Sequence, residues 1–221
     1  MAVVRSKEPD RSLALRRHHI VWLSFLVATT AVTALLALGD ERVQWGFLAT
    51  NTSLLDAPPD VDPIFRLHAP LDRQRWTGIV IHHSGEPAGD AELIHRLHLG
   101  LGYHGLGHHF LIGNGNGLGD GVVHVGYRWN EQLPGAHTAG PRGDYHNQRS
   151  VGICLIGNGD RRPFTEQQMT HLISLVRRLQ RQLDIPAGAV SLHREVAAGV
   201  RSPGRFFPAA EFEEQLVTGP R

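Results

Sequence analysis

The sequence predicts an α/β domain, a mixed central β-sheet flanked by helices, behind an N-terminal transmembrane helix. Three observations lead there. An uncharged, mostly apolar run covers Ile20 to Leu38. Further on, short β-branched segments such as "TGIVIHHS" and "SVGICLIGN" read as buried strands. Longer segments with helical spacing of apolar residues lie among them, without strict strand–helix alternation.

Taken in order, residues 1–19 form a short N-terminal segment ahead of the apolar run. Helix rises about 1.5 Å per residue, so Ile20–Leu38 is long enough for a hydrocarbon core of roughly 30 Å. Arg11, Arg16 and Arg17 precede the run, and Asp40 and Glu41 follow it. Positive charge on that side predicts a cytoplasmic N-terminus, with the rest of the chain outside the cell membrane. A cleaved signal peptide is the alternative. It fits less well, because the run is long and "LALGDE" is a poor cleavage site. Residues 39–75 read as a tether: "DAPPDVDP" is rich in Pro and Asp and has no hydrophobic period. The folded domain is expected over residues 76–221.

Within it, "TGIVIHHS" is the first strand. "DAELIHRLHLGL" is a helix, capped by Asp90, with Leu93, Leu97 and Leu101 at helical spacing. "HHFLIG" and "GVVHVG" are short strands around the turn-rich "NGNGLGD", and "SVGICLIGN" is another. "TEQQMTHLISLVRRLQRQLD" is the clearest helix. Thr165 and Gln168 make a capping box, and Met169, Leu172, Val176, Leu179 and Leu183 form one apolar stripe. "AVSLH" is a last short strand delivering His193, and a short helix begins near Pro208.

Composition excludes some functions. A net charge of +1 gives no bulk attraction to nucleic acid. The Gly-rich insert matches neither the dinucleotide nor the phosphate-loop spacing, so no nucleotide site is expected. Cys154 is the single cysteine and lies in an apolar strand, where a thiol is a small buried hydrophobe. The 15 histidines are the unusual feature. Side chains alternate along a strand, so His82 shares a face with Val80 and Ser84, and His83 points the other way. His82 and His193 both end apolar strands. A third ligand soon after His193 would complete a zinc site that keeps one position for water.

Five blocks in order carry a resemblance. They are "WTGIVIHHS", "GLGHHFLIGNG", "GAHT", "SVGICLIGN" and "HREV" followed by "SPG". From about Trp76 to Pro208 the chain resembles the type 2 N-acetylmuramoyl-L-alanine amidases, which share their domain with the peptidoglycan recognition proteins. The resemblance implies zinc-dependent hydrolysis of the amide between the lactyl group of N-acetylmuramic acid and L-alanine. The partner is then peptidoglycan or a muropeptide. It implies zinc on His82 and His193, with Ser202 at the third-ligand position, and His137 beside the substrate groove. His108 stands where the family often has Tyr or Glu, and a histidine there could serve as general acid or base.

The departures matter. The family's third ligand is Cys or Asp, and the neutral hydroxyl of Ser202 is a far poorer zinc ligand. Two positions earlier, Val200 replaces the usual Thr or Lys, unless a one-residue shift brings Arg201 there. Cys-to-Ser marks recognition members of the family that bind peptidoglycan without cutting it. The alternative to an amidase is therefore a non-catalytic peptidoglycan-binding module.

Overall fold

The computed structural model describes residues 62–218. In chain order the elements are β1 (Gly78–His83), α1 (Ala91–Gly100), β2 (Phe110–Ile112), β3 (Val123–Val125), α2 (Tyr127–Asn130) and α3 (Gly143–Arg149). There follow β4 (Ser150–Leu155), α4 (Glu166–Leu183), β5 (Val190–Leu192), α5 (His193–Val196) and α6 (Ala209–Glu213). The five strands form one sheet in the order β3-β2-β4-β1-β5. β1 runs parallel to β4 and β5, β2 runs parallel to β4, and β3 is antiparallel to β2. The sheet is mixed, as the sequence predicts.

β1 and β4 lie at the centre and are buried almost throughout, which is why both read as continuous apolar runs. Ile79, Ile81, Val151, Ile153 and Leu155 share the main core with Leu172, Leu175, Val176 and Leu179 of α4. Thr165 and Gln168 close the capping box that starts α4. A smaller apolar cluster joins Ile94 of α1 to Leu106, Leu111, Cys154 and Ile156. His82 is in register with Cys154, and Cys154 with Leu111. Residues in register point to the same side, so His82 stands on the face of the smaller cluster. Cys154 is fully buried, and burial pushes its thiol pKa up.

One expectation needs correction. Residues 62–75, read as the end of the tether, are part of the folded domain. A 3-10 turn at Pro63–Phe65 buries Ile64, and Phe65, Leu67 and Leu71 pack on the main core. The indole N–H of Trp129 donates to the Ile64 carbonyl at 2.6 Å, and Arg178 donates to both Asp62 oxygens at 3.0 Å. The Pro- and Asp-rich composition concealed four apolar side chains that find a surface only in the fold. The leucines at helical spacing, Leu93, Leu97 and Leu101, do not form a core face. Ile94 is the buried residue of α1, while Leu97 is 42% and Leu101 70% exposed.

Among the described residues no helix is long and apolar enough to cross a membrane. The run Ile20–Leu38 and most of the expected tether lie outside the described residues.

Candidate functional site

His82 is the last residue but one of β1, and three further imidazoles gather around it. Ring centroids lie 4.3 Å away for His193, 4.9 Å for His108 and 4.9 Å for His137. The fold explains the gathering. β5 pairs with β1 and stops at Leu192, so His193 emerges beside His82 as α5 begins. His108 precedes β2. His137 comes from the loop after α2, and its ring lies over the bare backbone of Gly152 in β4. A Cβ on Gly152 would stand 2.4 Å from the ring, and one on Gly135 would stand 2.3 Å from it.

The cluster opens into a groove of about 890 Å³. His82, His108, His137, His193 and Ser202, the five residues singled out in the sequence, all line it. One wall is apolar: Leu93 and Leu97 of α1 and Leu101 that caps it, with Tyr103 just beyond. The leucine stripe is therefore a wall of the groove. Glu86 and Arg96 supply charge at its edge.

Burial dominates the electrostatics. It holds the pKa values of His82, His108 and His137 well below the ordinary histidine value, and each neighbouring imidazole pushes the same way. His193 is lowered to about 4, first by burial and then by His83 and His146. At neutral pH these rings are uncharged, with lone pairs available to a metal or a proton. His108 is consequently unprotonated, the form a general base needs, and burial also weakens it as a base. His108 Nδ1 and His193 Nε2 are buried without hydrogen-bond partners.

The neutral rings of His82 and His193, and the unpartnered His193 nitrogen, fit a zinc ion. Ser202 fits less well. Its Oγ already accepts the His83 N–H at 2.9 Å, tying the loop after α5 to β1. Among the described residues no three His, Cys, Asp or Glu side chains already stand together as a metal cage. Val200 lines the groove, whereas Arg201 is 82% exposed and pairs with Asp160 at 3.3 Å. The one-residue shift that would bring Arg201 into the site does not occur.

His109, next to His108, is committed to the backbone. Its Nδ1 accepts from the Gly152 N–H at 2.9 Å, and its Nε2 lies 3.1 Å from the Leu133 carbonyl. Two groove residues escaped sequence reasoning. His98 of α1 accepts the Gly107 N–H through Nδ1, and His83 accepts the Gly159 N–H. Nothing in the helical pattern of α1 singles out His98. Strand alternation put His83 on the opposite face, where it belongs until β1 ends.

A mixed sheet that gathers neutral imidazoles near the end of β1, beside an apolar-walled groove, defines an α/β domain with a histidine-rich candidate site. The particular family follows from comparison. A model described as N-acetylmuramoyl-L-alanine amidase matches residues 72–205, and the chain belongs to that family. It is 29% identical over 155 residues to an endolysin of Enterobacteria phage K11, covering 66% of this chain and 89% of the phage protein. The solved N-acetylmuramoyl-L-alanine amidase LysC from Clostridium intestinale URNW superposes with a TM-score of 0.56 at 29% identity. That match covers 72% of this chain and 96% of LysC. Bumblebee PGRP-SA superposes with a TM-score of 0.52 at 27% identity, over 73% of this chain and 93% of its own. The family thus spans amidases and recognition proteins, and this chain resembles both.

Proposed function

We propose that the domain acts on peptidoglycan, binding a muramyl peptide in the groove and hydrolysing the amide between the lactyl group and L-alanine. The observation that carries this reading is the convergence of His82, His108, His137 and His193 on one groove in a chain of the amidase family. His82 and His193 would hold zinc, with Ser202 beside them as a weak third ligand. The chemistry that zinc supplies in such a site is polarisation of the scissile carbonyl and acidification of water. The chain's own residues do the rest. Leu93, Leu97, Leu101 and Tyr103 offer an apolar surface along which a peptide stem can lie. Neutral His108 is the group able to take a proton at the reacting centre. His137 lines the same groove, where a substrate would pass.

A second reading has a specific observation behind it. Ser202 is neutral and already engaged by the His83 N–H, and Val200 offers no donor to a developing oxyanion. Both favour a module that binds the same ligand without cutting it. We also infer that the run Ile20–Leu38 anchors the chain in the cell membrane with the domain on the outer side, where peptidoglycan lies. Protease digestion of intact and broken cells checks that orientation.

Release of free stem peptide from a purified muropeptide, with and without added zinc, separates the two readings. A hydrolase releases the peptide, and more of it with zinc. Bound but intact muropeptide under both conditions leaves the recognition reading alone.

A further inference from the structure

The surroundings of His137 are more elaborate than a groove-lining residue needs. Asn147 Oδ1 accepts both the His137 N–H at 2.9 Å and the Thr138 N–H at 3.0 Å, which pins the loop. Asn147 Nδ2 returns a bond to the Thr138 carbonyl at 2.9 Å. Gly135 and Gly152 leave the space that the ring fills. Its two nitrogens then meet different partners. Nε2 lies 3.2 Å from the Ser150 carbonyl oxygen, and Nδ1 lies 3.0 Å from His82 Nε2 and 3.0 Å from Thr138 Oγ1.

The partners dictate where the protons are. A carbonyl oxygen only accepts, so His137 Nε2 carries a hydrogen and donates it to Ser150. No carboxylate bonds to the ring, and other imidazoles surround it, so it is neutral and its Nδ1 is bare. A bare nitrogen facing a second bare nitrogen at 3.0 Å in a buried site would set two lone pairs against each other. His82 Nε2 must therefore be the N–H. The Thr138 hydroxyl can share the same acceptor without changing this.

We infer that His137 is a positioning residue that fixes His82 with its proton on Nε2, leaving His82 Nδ1 as the lone pair able to ligate or react. The chain Ser150 carbonyl, His137, His82 is a fixed relay of hydrogen bonds running from the β4 backbone to the end of β1. Its catalytic use rests on the reading of the groove given above; its geometry does not. A ring held this way loses no orientation when it takes up a metal, and such outer partners typically govern affinity by about 10–100-fold.

The test is the imidazole ¹⁵N spectrum of the full chain in detergent, labelled at histidine and read by two-bond proton–nitrogen correlation. His82 signals are assigned by their loss in His82→Gln. The expected result is a pyrrole-type Nε2 and a pyridine-type Nδ1 for His82. In His137→Phe that preference collapses to a mixture. His137→Asn restores it, because the Asn side-chain oxygen can replace Nδ1 as acceptor. Zinc affinity, read by competition with a chromophoric chelator, falls about 10–100-fold in His137→Phe and recovers in His137→Asn. A proton on His82 Nδ1 in the unaltered chain overturns the inference, as does unchanged zinc affinity in a folded His137→Phe. If His137→Phe does not fold, the spectrum of the unaltered chain decides alone. Because that spectrum needs neither substrate nor metal, a failure of peptidoglycan binding would register separately.

Discussion

Ser202 is the side chain on which the chemistry turns. On the proposed reading it brings a hydroxyl to a place where a zinc site needs an anion, and that hydroxyl is already used to fasten the loop after α5 to β1. Replacing it by a thiol that ionises on metal binding is expected to raise zinc affinity. Ser202→Cys should retain zinc against a chelator that strips the unaltered chain, by about tenfold or more in affinity; equal retention would contradict the assignment of this position. His109 offers a second test, away from the groove. Burial lowers its pKa to about 4, against about 6.5 in the unfolded chain. Between those values the unfolded state binds the proton that the folded state refuses. The stability this ring contributes is complete above pH 6.5 and is lost as pH falls toward 4, by up to about 3 kcal/mol. Thermal midpoints measured from pH 7.5 to 4.5 should fall steadily. In His109→Phe they should start lower, because two backbone partners are lost, but decline less steeply.

The strands and helices show what was legible in the sequence and what was not. β1 and β4 were legible because central strands buried on both faces must be apolar throughout. α4 was legible because a capping box and a five-residue stripe agree on one start and one face. The outlook of α1 was not legible, because Leu93, Leu97 and Leu101 repeat with the same period whether they face a core or a groove; only the fold shows which. The site was partly legible: His82 and His193 end apolar strands, and that signal is local. The place of His137 against β4 was not, since it depends on Gly152 and Gly135 lacking side chains, and nothing in "SVGICLIGN" shows which ring will lie there. The packing predicts that Gly152→Ala pushes the His137 ring out of place. The added methyl should cost about 1–3 kcal/mol in chemical denaturation and weaken zinc binding in parallel. Wild-type stability together with unchanged metal affinity would show that the ring does not depend on that gap.

Taken as one body, the domain begins earlier than its strand pattern suggests. Asp62, Ile64, Phe65, Leu67 and Leu71 fasten the segment before β1 to Trp129, to Arg178 and to the main core. A chain starting at Trp76 would expose the site of Ile64 and leave Arg178 without its carboxylate. Its stability should drop by about 3 kcal/mol or more, seen as a lower midpoint in urea. An unchanged midpoint would mean that the segment is only draped on the surface.

Amidase and recognition readings share one requirement, that the imidazole-floored groove is where peptidoglycan binds. Co-sedimentation of the full chain with purified insoluble peptidoglycan, with and without excess soluble muramyl peptide, tests it most directly. The chain should pellet with the polymer and return to the supernatant when the competitor is added. A chain that stays in solution, or one whose pelleting the competitor leaves unaltered, would contradict it.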